Sequence, residues 1–151
     1  MTGAGLFSAG CMRIHADKID NGPPHGLSAR DIRLILRRVP SSWIEGLREV
    51  RLANGLNPPR AYFSRYDGRL TVYSRMGTKR DILNALLSTL AAPSLNIVNV
   101  VARRPTAPEQ HRLDQFVKPL VDDLVPQVAL PRGVMKLVVP CVTDSSANET
   151  A

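Results

Sequence analysis

Cysteine and histidine are scarce in this chain, and neither occurs in a cluster. The two cysteines, Cys11 and Cys141, lie near opposite ends of the 151 residues, and the three histidines, His15, His25 and His111, are scattered. A structural zinc site needs Cys or His ligands at short spacing, so we predict no metal site and no cofactor. The shortage of cysteine also argues against a disulfide framework, which favours a cytoplasmic location.

The motifs of several common enzyme classes are also missing. The chain has no G-x-S-x-G elbow and no Walker-type phosphate loop, and the glycines of TGAGLFSAG follow no predicted strand. We therefore assign no catalytic residue. The sequence favours a non-catalytic protein but does not rule out an enzyme.

Long apolar segments are absent as well. No run of about 18 apolar residues occurs, so we expect no membrane span. The opening MTGAGLFSAGC lacks the basic region and the longer apolar core of a secretory signal.

What remains is the composition of a basic globular protein. Hydrophobic residues make up 44% and charged residues 22% of the chain, whereas aromatic residues make up only 5%, so we expect an aliphatic core. The net charge is +7. Such a surface attracts phosphate backbones, acidic proteins or anionic lipids without selecting among them.

Three segments carry the signals of helices. Ser28 and Asp31 form a capping box before a periodic apolar stretch that Pro40 ends. A second predicted box, Thr78 with Asp81, opens the apolar stretch TKRDILNALLSTLAA, which is typical of a buried helix. A third amphipathic helix is predicted from about 109 to 125, with a kink or break at Pro119.

The clearest strand signal is AYFSRYDGRLTVYSR, in which Asp67-Gly68 suits a two-residue hairpin turn. That turn would pair Tyr62 with Tyr73 and Phe63 with Val72. All three tyrosines of the chain would then share one face with an arginine, a set comprising Tyr62, Tyr66, Tyr73 and Arg69. A half-buried strand is predicted around Val50, and another short strand within VMKLVVPCV.

These signals predict one α+β domain over 27–140, after an irregular segment (1–26) and before a disordered tail (141–151). We expect a small, mostly antiparallel sheet with a central hairpin, packed on one face by about three helices. The predicted core consists of Ile35, Leu36, Val50, Leu52, Phe63, Val72, Leu83, Leu86, Leu87, Leu90, Phe116 and Leu120.

The order helix, strand, hairpin, buried helix, further helix, over about 28–125, resembles the core of zincin-like metallopeptidases. In that family the helix after the sheet carries H-E-x-x-H, whose histidines bind zinc and whose glutamate activates water. Laid on ILNALLSTL, the motif falls on Asn84, Ala85 and Ser88, and residues 76–98 contain no His, Glu or Cys. The resemblance therefore implies a relative without zinc or hydrolysis.

Two functional hypotheses follow. The first is a non-catalytic domain that binds a protein or peptide partner, as an inactive zincin-like core would if it kept a groove beside an edge strand. The alternative is a nucleic-acid-binding domain that uses arginine stripes and aromatic rings. The candidate binding residues are Arg30, Arg33, Arg37, Tyr62, Arg65, Tyr66, Arg69 and Tyr73.

Overall fold

A computed structural model describes residues 12–99 and 103–128 of the chain. The predicted strand at 134–142 and the predicted tail (141–151) lie outside the described residues, as does the first part of the predicted irregular segment. The described α-helices are α1 (Ala29–Arg38), α2 (Lys79–Ala91) and α3 (Ala107–Val128). No helix in these two ranges is both long and apolar enough to cross a membrane.

The predicted capping chemistry begins the first two helices. The Asp31 N–H donates to Ser28 Oγ at 3.1 Å and the Ser28 N–H donates to Asp31 Oδ2 at 2.9 Å, which completes the box at α1. At α2 the Asp81 N–H donates to Thr78 Oγ1 at 3.1 Å, which is one half of the predicted box. Each bond satisfies an amide that has no partner inside its own helix.

Four strands lie within the described residues, namely β1 (Arg13–Ala16), β2 (Glu49–Ala53), β3 (Arg60–Ser64) and β4 (Arg69–Tyr73). They form one sheet in the order β1-β2-β4-β3. The predicted α+β class is confirmed. The sheet is mixed rather than mostly antiparallel, because β2 pairs in parallel with both β1 and β4, and only β3 and β4 are antiparallel.

The parallel pairs arise from two connections. From β1 the chain passes through α1 before it enters β2, which is the type of crossover that parallel neighbours need. After β2 the chain goes to the end of the sheet order as β3, and it returns as β4 between β2 and β3. Strand β1 lies before the predicted domain start at residue 27, so the sheet begins earlier than that boundary.

The predicted hairpin exists, but its register is wrong by two residues. Tyr62 pairs with Thr71 and Ser64 pairs with Arg69, so the turn has four residues, 65–68, rather than two. The Gly68 N–H donates to the Ser64 carbonyl at 2.9 Å, and only Gly68 of the turn has a positive φ (+70°). Since Asp67 keeps a negative φ, the two-residue turn that needs both positions positive does not form.

The sheet buries one face, against which α1 and α2 pack, and α3 packs mainly against α2. Ten of the twelve predicted core residues are buried, and Leu120 is partly buried. The prediction that Phe116 belongs to the core is wrong, because 45% of this residue is exposed. The buried stripe of α3 instead consists of Leu113, Val117, Val121, Leu124 and Val128. The helix is unbroken at Pro119, so the predicted split does not occur.

Candidate functional site

The arginine stripe of α1, which the sequence offers as a candidate binding surface, faces outwards. Arg30, Arg33 and Arg37 are exposed, and none of them forms an ion pair with a described residue. Their neighbour Arg38 differs, because it donates to Asp123 at 2.7 Å and to Gln127 at 2.9 Å on α3. The stripe is thus available to an anionic partner, whereas Arg38 joins two helices.

The hairpin candidates separate into different environments. Tyr62 and Tyr73 lie on the open face of the sheet with their ring centres 6.3 Å apart. Tyr66 is 99% exposed in the turn, so the prediction that three tyrosines share one face is wrong for this residue.

The Arg65 guanidinium lies 4.4 Å from the centre of the Phe63 ring and donates to the Trp43 carbonyl at 3.3 Å. Its partial burial lowers the pKa of Arg65.

Arg69 belongs to a charged network on the open face of the sheet. Glu49 on β2 accepts from Arg13 at 3.0 Å and from Arg69 at 2.9 Å, on β1 and β4. Beside it, Arg51 donates to both carboxylate oxygens of Asp17, the closest contact being 2.7 Å. The hydrogen bond from Arg51 holds the pKa of Asp17 below its usual range. Each of these three arginines is paired with a carboxylate, which weakens this face as a phosphate-binding surface.

A polar cleft of about 340 Å³ lies beside β3. Its walls come from β3, from the outer side of α2 and from the first turns of α3. The Thr89 hydroxyl on α2 donates to the Ala61 carbonyl on β3 at 2.9 Å, which fixes the helix next to the strand. Two arginines, Arg60 and Arg104, and two aspartates, Asp81 and Asp114, line the same cleft.

A small hydrogen-bond network connects the two helical walls of the cleft. The side-chain amides of Asn84 and Gln110 both donate to Asp114 Oδ1 at 2.8 Å. The Gln110 amide also lies 3.5 Å from the Ser88 hydroxyl. The network holds a carboxylate with neutral donors, so its charge is stabilised without being cancelled.

The positions that the zincin-like resemblance aligns with the zinc motif all line this cleft. Asn84, Ala85 and Ser88 lie on one side of α2, because residues one turn apart share a face of a helix. Alanine cannot act as a general base, and an amide with a hydroxyl makes a poor zinc ligand set. Among the residues in 12–99 and 103–128, no three His, Cys, Asp or Glu side chains are placed to hold a metal ion.

Except for Tyr62, the sequence candidates are not residues of this cleft. The sequence points to Asn84 and Ser88 only through the resemblance, and it assigns no site role to Thr89, Gln110 or Asp114. One sequence signal was available, since Asn84, Ser88 and Thr89 interrupt an otherwise apolar helix. Polar side chains in a buried helix need partners, and these find them at the cleft.

Comparison with models of protein families, with curated protein sequences and with solved structures gives no match for this chain.

Proposed function

We propose that this domain is non-catalytic and binds an extended peptide segment of a partner protein in the cleft between β3 and α2. We propose further that it is a zincin-like core that has no zinc. The observation that carries both proposals is the position of the cleft, between the last strand of the sheet order and the side of α2 that bears Asn84, Ala85 and Ser88.

The form and lining of the cleft support a peptide as the ligand. Its volume of about 340 Å³ is near the lower end of ligand pockets in proteins, which suits a few residues of a chain. Amide, hydroxyl and charged groups line it, and such groups can pair with the donors and acceptors of a main chain. A strand at the end of a sheet has one edge without a neighbouring strand, and an extended peptide segment can lie along that edge.

The residues at the motif positions support binding rather than hydrolysis. Hydrolysis by a zincin needs two histidine ligands and a glutamate base on this helix. Here the base position is occupied by Ala85, and the only carboxylate of the network, Asp114, already accepts two hydrogen bonds. A domain with this lining would recognise a peptide and leave it intact.

The proposal is tested by selection from a random peptide library, followed by fluorescence polarisation with the selected peptides. Ala85→Arg places a long side chain in the cleft and should weaken their binding by about tenfold or more. Leu56→Arg, at a site that is 57% exposed and does not line the cleft, is the matched control and should bind as the wild type does. Selected peptides that bind equally to Ala85→Arg would contradict the cleft as the site.

The arginine stripe of α1 supports nucleic acid as a second candidate ligand. Arg30, Arg33 and Arg37 are exposed, and their charges are not matched by an ion pair with the described residues. Binding to labelled RNA and DNA pools across a salt series should then weaken steeply as salt rises. The charge reversal Arg33→Glu with Arg37→Glu should abolish it, and the absence of binding at low salt would reject this candidate.

A further inference from the structure

Asp114 is the carboxylate that the hydrogen-bond network of the cleft holds in place. Its Oδ1 accepts from Asn84 and from Gln110, both at 2.8 Å. No described residue donates to its Oδ2, and Asp114 forms no ion pair within 12–99 and 103–128. The residue is only partly exposed, so water screens its charge less than on an open surface.

The two amides that hold Asp114 also determine which atoms a ligand meets. Each amide directs its NH2 group to the carboxylate, which leaves the carbonyl oxygens Oδ1 of Asn84 and Oε1 of Gln110 as acceptors. No donor from the described residues contacts either oxygen. Together with Asp114 Oδ2 they give three acceptors, one of them charged, on the helical side of the cleft.

Three acceptors with a net negative charge match a cationic donor group. A lysine ammonium has three N–H donors and no acceptor, and an arginine guanidinium has five. A neutral hydroxyl or amide ligand would bring acceptors of its own and leave the charge of Asp114 uncompensated.

The strand side of the cleft has the opposite character. The Arg60 guanidinium lies 5.5 Å from the centre of the Tyr62 ring, which keeps this cation beside β3. Arg104 lines the cleft as well. A peptide whose main-chain carbonyls lie near Arg60 and whose cationic side chain points to Asp114 would satisfy both walls.

We propose that the cleft holds a subsite for the cationic side chain of a lysine or arginine in the bound peptide, with Asp114 as its counter-ion. The inference rests on the proposed function and adds a ligand specificity to it. Asn84 and Gln110 position the carboxylate and supply the neutral acceptors.

The test is an NMR titration of the ¹⁵N-labelled full chain with three small probes. The blocked peptide acetyl-Gly-Lys-Gly-amide carries the ammonium, and acetyl-Gly-norleucine-Gly-amide keeps a four-carbon side chain without it. Butylammonium carries the charge without a peptide. The lysine peptide should shift the amide signals of Asn84, Ser88 and Gln110 saturably, and it should bind about tenfold or more tightly than the norleucine peptide.

Two variants assign the effect to the carboxylate. Asp114→Asn should lose the preference for lysine over norleucine, whereas Asp20→Asn, which removes the same charge at an exposed site away from the cleft, should keep it. The comparison of the two peptides on the wild-type protein stands even if Asp114→Asn does not fold.

The outcomes separate this inference from the proposed function. Equal binding of both peptides at the cleft would overturn the cationic subsite and leave peptide binding intact. Butylammonium binding as tightly as the lysine peptide would overturn the assignment to a peptide. Shifts of the same signals by Mg²⁺ or Ca²⁺ without any response to lysine would show a metal preference and overturn the proposal, as would the absence of a response to every probe.

Discussion

Asn84 Nδ2 lies 2.8 Å from Asp114 Oδ1, and this hydrogen bond joins α2 to α3 at the cleft. Gln110 completes the arrangement from within α3, one turn before Asp114. The bond gives Asn84 a structural role in addition to the binding role that we propose. It also explains why a polar residue is tolerated on a helix whose remaining contacts are mainly apolar.

Removal of the Asn84 amide should therefore lower stability. Asn84→Ala leaves Asp114 with a single donor, and a hydrogen bond to a charged group is worth about 1.5–3 kcal/mol. We expect the free energy of unfolding to fall by about 1–2 kcal/mol in urea denaturation, because water can replace part of the lost bond at a cleft. Asn57→Ala, at an exposed position, is the control and should change stability by less than about 0.5 kcal/mol. A wild-type midpoint for Asn84→Ala would show that the bond between the helices is dispensable.

The centre of the core offers a stronger test. Leu87 is fully buried on α2, so Leu87→Ala should cost about 2–5 kcal/mol through lost burial and the remaining cavity. Leu87→Asp should unfold the protein, because it forces an unpaired charge into an apolar site. Leu56→Ala, at a leucine that is 57% exposed, should leave the urea midpoint almost unchanged. A Leu87→Asp protein that melts cooperatively would contradict the core assignment.

Local chemistry explains why parts of the fold could be predicted. Ser28 with Asp31 and Thr78 with Asp81 place both helix starts correctly, since a cap depends on residues three positions apart. A further capping pair, Thr106 with Glu109, begins α3 and has both reciprocal bonds, at 2.9 and 3.3 Å. This capping pair is present in the sequence, and α3 begins two residues before the predicted start at about residue 109.

Tertiary contacts explain the errors in the sheet. The Gly68 carbonyl accepts from the backbone N–H groups of Arg48 and Glu49 at 2.8 and 3.1 Å, so the hairpin turn is held by the start of β2. A Cβ on Gly68 would lie 2.6 Å from the Gly46 carbonyl. The pattern Asp67-Gly68 contains no information about this contact. The chain therefore adopts the four-residue turn, although the local sequence favours a two-residue turn.

The cleft could not be predicted from the sequence for the same reason, because contacts between distant parts of the chain form it. Asp114 and Asn84 are 30 positions apart in the chain, and neither α2 nor α3 alone indicates that they meet. Phe116 illustrates the converse error. It follows the helical pattern of α3, but it lies beside the buried stripe, and its ring centre is 5.9 Å from that of Trp43 while nearly half of the residue stays exposed.

The Asp17–Arg51 pair should make stability depend on acid pH. The hydrogen bond from Arg51 lowers the pKa of Asp17 in the folded state, so the pair stabilises the fold at pH values above the ordinary Asp pKa. That contribution is lost as the pH falls through the ordinary value towards the lowered one. Between about pH 5 and about pH 3, the urea midpoint of Asp17→Asn should fall less than that of the wild-type protein.

Arg51→Met is the matched partner variant for this measurement. If the pH dependence comes from the pair, the urea midpoint of Arg51→Met should also fall less than that of the wild-type protein between about pH 5 and about pH 3. The double variant should then behave as either single variant does. The Asp17 side chain is only 12% exposed, so this carboxylate is better shielded from water than Asp122 and Asp123 in the ion pairs of α3. If the urea midpoints of both variants fall with pH as steeply as that of the wild-type protein, the assignment to this pair is contradicted.

Reconstruction of the zinc motif tests the proposed zincin-like ancestry directly. Asn84→His, Ala85→Glu and Ser88→His together place H-E-x-x-H on the side of α2 that lines the cleft. Asp114, already beside Asn84, would be available as a further oxygen ligand. We expect the folded triple variant to bind one zinc ion per chain in calorimetry and to melt at a higher temperature when zinc is present.

The control for this reconstruction is Arg33→His with Arg37→His, which places the same pair of histidines one turn apart on the exposed side of α1. Two histidines without a third protein ligand should bind zinc more weakly than the cleft variant. Circular dichroism must first show that the triple variant is folded. Ser88 is only 2% exposed, so the histidine that replaces it has to occupy the cleft. A folded triple variant that binds zinc no better than the α1 control would mean that the cleft lacks the geometry of a metallopeptidase, and the resemblance would then be confined to the order of the elements.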